Sequence, residues 1–189
     1  MIISVSRRTD IPAFYAEWFY NRLRAGYVLV RNPMNVHSVS KVALSPEVVD
    51  AFVFWTKNPL PLMKRLDELA EYPYYFQFTL TGYGKDIEPG LPDKKQALLP
   101  AFKELAAKIG RQRVIWRYDP IFFSSRYSAE YHLECFEALA AELSGSTERC
   151  VISFMDEYRN TKRNAQKLGA VNYSSEEIYA FAARLAKIA

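Results

Sequence analysis

The feature that most constrains this chain is a steady alternation of short apolar runs with longer segments of helical spacing. Five runs rich in β-branched and aromatic residues stand at residues 2–6, 51–56, 74–80, 113–118 and 149–154. Four of them lead directly into a stretch whose apolar residues recur every three or four positions, such as Leu98, Phe102, Leu105 and Ile109. Unbroken apolar strands followed by helices are the signature of right-handed βα units on a sheet buried on both faces. The expected fold is therefore α/β: a mostly parallel sheet with flanking helices, in the form of a partial or open TIM-like (β/α) barrel. A full eight-fold barrel takes about 200–250 residues or more, and the chain has 189. Residues 27–44 interrupt the rhythm and read as a hairpin, Tyr27–Val30 and Val36–Leu44, around Asn32-Pro33-Met34-Asn35.

Helix boundaries are legible too. Asp10, Asp93, Ser128 and Ser174 stand where N-caps belong, with Gln96 and Glu177 three residues after Asp93 and Ser174, and Gly26 ends the first helix. No repeat or flexible linker divides the sequence, so a single α/β domain over residues 1–189 is expected. The last helix runs to Ala189 with no stop signal, which favours the N-terminal part of a longer protein.

Composition excludes more than it assigns. Half the residues are hydrophobic and 24% charged, values of an ordinary globular chain. No apolar run approaches the roughly 20 residues of a membrane span, so no membrane partner is expected. Two cysteines, Cys135 and Cys150, make no disulfide framework, and with no secretory signal the expected location is the cytoplasm. The net charge of +4 is concentrated: residues 1–41 hold six Lys and Arg against Asp10 and Glu17, and the rest of the chain balances.

In parallel α/β folds ligands collect where strands end. Those ends carry Arg7 and Arg8, then Thr56, Lys57 and Asn58, then Thr79, then Arg117 and Asp119, and finally Ser153 and Asp156. Guanidinium and ammonium groups on such a rim suit a carboxylate or phosphate, so an anionic small molecule is the expected partner. Asp10 reads more simply as a helix cap, Thr81-Gly-Tyr-Gly84 as a turn, and His37 and His132 lack any ligand spacing. Nucleic acid remains the alternative partner, on the strength of the basic N-terminal stretch and a sequence pI near 9.0.

Five strings are familiar as a set: Ile3-Ser-Val-Ser-Arg-Arg-Thr-Asp-Ile-Pro12, Val30-Arg-Asn-Pro33, Phe54-Trp-Thr-Lys-Asn-Pro59, Phe78-Thr-Leu-Thr-Gly-Tyr-Gly84 and Trp116-Arg-Tyr-Asp-Pro120. Together they resemble a bacterial family, number 1848 in the domain-of-unknown-function series. Members of that family carry a cysteine cluster near their C-terminus that looks like the iron–sulfur motif of radical SAM enzymes, and the resemblance implies a barrel similar to the spore photoproduct lyase branch of that superfamily. It further implies S-adenosylmethionine and a [4Fe–4S] cluster as cofactors of a longer form, with Arg7, Arg8, Thr56, Lys57, Asn58, Thr79, Arg117 and Asp119 around the cofactor. The expectation for this chain itself is no cofactor and no metal site, since its two cysteines cannot supply three cluster ligands. Three functions follow: the barrel portion of a radical-SAM-like enzyme, a nucleic-acid-binding or repair-associated module, or an α/β domain that binds a phosphorylated or carboxylate metabolite.

Overall fold

A computed structural model describes residues 1–155, 168–171 and 173–189. Asp156, and the first of two helical stretches that the sequence pattern places after residue 154, lie outside the described residues. Strands β1 (Ile2–Ser4), β4 (Ala51–Thr56), β5 (Tyr74–Thr79), β6 (Val114–Ile121) and β7 (Cys150–Phe154) form one open sheet in the order β1-β4-β5-β6-β7. The pairings β1·β4, β4·β5 and β6·β7 are parallel. Strands β2 (Tyr27–Arg31) and β3 (Val39–Ala43) form a separate antiparallel hairpin, as the sequence pattern requires. The architecture is thus α/β with an open sheet and no barrel closure among the described strands. No helix among the described residues is long and apolar enough to cross a membrane.

The chain packs as two compact units, Met1–Phe78 and Thr79–Ala189. In the first, α1 (Ile11–Phe14) and α2 (Ala16–Ala25) replace the single helix expected from the pattern. Tyr15 breaks it by leaving helical geometry at φ −134°. Gly26 then closes α2 in the left-handed conformation, at φ +73°, that glycine adopts at no steric cost. Phe19 of α2 sets its ring edge-on to Phe52 and Phe54 at 5.5 and 5.4 Å, while Phe54 stacks on Phe76 at 5.0 Å. Phe52, Phe54 and Phe76 are wholly buried. Aromatic pairs of this kind add about 0.5–1.5 kcal/mol each beyond burial. The helix after β4 shrinks to α3 (Leu60–Met63) and a single 3-10 turn at Leu66–Leu69. Pro61 in its first turn supplies no N–H, and Arg65 departs from helical φ at −140°.

In the second unit α4 (Leu99–Ile109) is entered through a wider turn at Lys94–Leu98, whose start Asp93 caps by accepting from Gln96 N at 2.7 Å. Helix α5 (Ala129–Leu143) buries His132, Leu133, Phe136 and Leu143, and Phe136 stacks on Trp116 at 4.7 Å. Helix α6 (Ser175–Ile188) opens with the reciprocal Ser174–Glu177 capping box and buries Phe181 and Leu185. Phe181 meets Phe123 edge-on at 5.0 Å.

Candidate functional site

In the first unit the chain leaves β1, which extends its pairing by a bond from Val5 N to Val53 O at 3.0 Å, and turns through Ser6–Thr9 into α1. Asp10 organises that turn. Its Oδ1 accepts from Ala13 N at 3.0 Å and its Oδ2 from Lys57 N at 2.8 Å, and the Thr56 hydroxyl also bonds its carboxylate. Burial raises the Asp10 pKa, with these hydrogen bonds opposing the rise. Thr56 Oγ1 accepts from Asn58 N at 2.9 Å, and Asn58 Oδ1 from Leu60 N at 3.2 Å. Asp10, Thr56 and Asn58 therefore spend their polar atoms holding the loops after β1 and β4 against each other.

An arginine-lined cavity lies beside this knot rather than on it. A cavity of about 450 Å³ opens between β1, α2 and the β2–β3 hairpin. Arg7 and Arg8 reach it from the β1 exit, Arg22 from α2, and Arg31 from the end of β2. Trp18 stands one turn before Arg22, so the two share a helix face. The Arg8 Nη2 donates to the carbonyl of Arg31 at 2.7 Å and ties the β1 exit to the hairpin. The floor is apolar, made by Ile3, Val5, Phe52 and Leu44 among others. Among the described residues no carboxylate lines the cavity, and none pairs with Arg7, Arg22 or Arg31. Lys57, Thr56 and Asn58 do not line it. Four arginines thus line one space whose described lining holds no counter-charge.

The second unit treats its charges differently. Arg117 and Asp119, two residues apart on β6, point the same way, and Arg117 Nε donates to both carboxylate oxygens of Asp119 at 3.0 and 3.1 Å. Ser153 Oγ donates to Asp119 Oδ2 at 3.3 Å. The Arg117 charge is thus met within its own strand. Thr79 is half-buried at the end of β5. The Thr81–Gly84 segment, expected as a turn, is irregular chain with a bend at Gly82. The hydrogen-bonded turn comes just after it, Ile87 N donating to the Gly84 carbonyl at 3.1 Å, and an ion pair between Lys94 and the buried Glu88 pins the region. Lys94 Nζ also donates to the carbonyls of Thr81 and Tyr83 at 2.9 and 2.6 Å. Gly82 is there for space: a Cβ on it would sit 2.8 Å from Cys135 Cβ and Sγ.

Set beside known proteins, residues 2–189 match the family model DUF1848, a domain of unknown function. The chain belongs to this family. No curated protein and no solved structure matches it.

The cofactors implied by the radical SAM resemblance can be tested against this DUF1848 chain's residues. Cys135 lies on α5 and Cys150 begins β7, and burial pushes the Cys150 thiol up to about 12, away from the thiolate a cluster needs. Two thiols on separate elements do not fit a cluster that takes three. Among the described residues no group of three or more His, Cys, Asp or Glu could hold a metal ion. His132 is likewise a core residue, engaged on both ring nitrogens by Tyr118 and Phe122. Sequence reasoning missed Arg22, Arg31 and Trp18 as a group. The signals available were the basic excess before residue 42 and the four-residue spacing of Trp18 and Arg22.

Proposed function

We propose that this DUF1848 chain binds a small organic anion, a phosphate or carboxylate, in the arginine-lined cavity beside β1. The carrying observation is the convergence of Arg7, Arg8, Arg22 and Arg31 on one 450 Å³ space whose described lining holds no acid. That volume falls within the usual range for small-molecule sites, about 300–1,000 Å³. Arginine forks favour planar, bidentate recognition of carboxylate and phosphate oxygens over simple counter-ion attraction. The radical-SAM-like reading shares this anion site, but the chain's two cysteines do not fit the cluster it requires.

The test is calorimetric titration of the full chain with phenyl phosphate. Arg7→Ala and Arg22→Ala should each weaken binding about tenfold, the equivalent of roughly 1.4 kcal/mol for one lost charge-assisted contact. Lys57→Ala, off the cavity, should leave affinity within twofold. Equal weakening by Lys57→Ala would move the site to the strand ends. A polynucleotide that binds tighter than phenyl phosphate, with the steep salt dependence of counterion release, would replace the small-anion reading with the nucleic-acid one.

A further inference from the structure

The cavity also says what kind of body the anion carries, a step that rests on the anion reading above. Apart from the four arginines, the polar side-chain groups on its described lining are the hydroxyls of Ser4 and Thr9 and the indole N–H of Trp18. Asp, Glu, Asn and Gln are absent from that lining. The remaining walls are hydrocarbon and aromatic, with Ile11, Phe19, Val28 and Leu44 alongside Trp18 and Phe52.

A nucleotide or a sugar phosphate brings ribose or sugar hydroxyls and base edges into its site. Those groups need carboxylate, carboxamide or backbone partners, and each one buried without a partner costs binding. Two hydroxyls and one indole N–H, with no carboxylate or carboxamide, are few side-chain partners for them. An alkyl or aryl group asks for nothing but burial, and burial of apolar surface is what these walls supply. Lining of this kind, mostly apolar with a few placed polar groups, is how small-molecule sites achieve orientation without losing affinity.

We infer that the cavity takes an amphipathic anion: a phosphate or carboxylate head held by the arginines, on an alkyl or aryl body seated against Trp18, Phe19 and Phe52. The head supplies orientation and the body supplies most of the affinity. An aliphatic or aryl acid or its phosphate ester fits that description, whereas a nucleotide does not.

The experiment is a calorimetric series on the full chain: inorganic phosphate, then butyl, hexyl and octyl phosphate below their micelle concentrations, with AMP and 1-octanol as controls. Affinity should rise two- to fourfold per added methylene, the effect expected for full burial of each. AMP should bind no tighter than butyl phosphate, and 1-octanol should bind at least tenfold weaker than octyl phosphate. An affinity independent of chain length, or AMP tighter than octyl phosphate, overturns the amphipathic inference and leaves the anion reading standing. No binding of any phosphate overturns both. Octyl phosphate that binds the Arg7→Ala/Arg22→Ala double variant as tightly as the wild type is adsorbing to exposed apolar surface, which also overturns the inference.

Discussion

Acidification should weaken the second unit through His132, well before its carboxylates protonate. The ring is fully buried, at 0% exposure. Its Nε2 lies 3.0 Å from the carbonyl of Phe122, which can only accept, so Nε2 carries the proton. Its Nδ1 then accepts from the Tyr118 hydroxyl at 2.9 Å. Burial lowers the ring's pKa from its ordinary 6.5, with the bond to Phe122 opposing that shift. The folded chain therefore keeps His132 neutral at pH values where the unfolded chain protonates it. Below 6.5 the unfolded state binds one more proton, so stability is full above that pH and falls as pH drops. The slope approaches about 1.4 kcal/mol per pH unit, until the folded ring itself takes a proton. Urea unfolding followed by circular dichroism at pH 7.5, 6.5 and 5.5 should show a loss of up to about 1.4 kcal/mol across the series. In His132→Gln the side chain can still donate to Phe122 O and accept from Tyr118, but it does not titrate. That variant should be flat over the same range. The other histidine, His37, is exposed in the hairpin loop. A wild type equally stable at pH 7.5 and 5.5, or a His132→Gln variant with the same slope, would refute the reasoning.

Lys94→Met leaves the Glu88 carboxylate, whose side chain is 4% exposed, without its cation, and should cost about 3–5 kcal/mol in urea unfolding. The double variant Glu88→Met/Lys94→Met should recover most of that loss, and a double variant as unstable as the single one would show that charge is not the cause. Asp10→Ala removes an N-cap and orphans the Lys57 amide, so a loss of about 2–3 kcal/mol is expected from the usual worth of a cap and of a stranded donor. Asp10→Asn, which keeps one acceptor, should lose less than half as much, and equal losses in the two variants would argue against this account.

The sheet was legible because its strands are continuous apolar runs, and Phe52, Phe54 and Phe76 are buried as those runs require. Caps at Asp10, Asp93, Ser128 and Ser174 were legible for a local reason: each bonds an amide only three residues away. Strand ends were less so. β1 stops at Ser4 rather than residue 6, and β6 runs on to Ile121 past Asp119-Pro120. The candidate site was half legible. Arg7 and Arg8 follow from the rule that ligands gather where strands end, and both do line the cavity. Arg31 joins them only because the hairpin folds back across 23 residues of chain to meet Arg8. Nothing in residue spacing encodes that return. Arg117 looked like a free rim cation in sequence, but its neighbour Asp119 folds onto it.

Strand β1 is three residues long, stands at one end of the described sheet, and pairs there with β4. Its amides are fastened from one side by three register pairs and by the bond from Val5. Short, singly paired elements are where local opening costs least, so Ile3 to Val5 should rank among the first of the sheet amides to exchange their hydrogens with solvent. Arg7 and Arg8 hang on that same element. A ligand that engages them is bound only by the closed form, and at a hundred times its dissociation constant it adds about 2.7 kcal/mol to the cost of opening. If the proposed ligand binds, exchange at this one edge should therefore report its occupancy: slow when the cavity is filled and fast when it is empty.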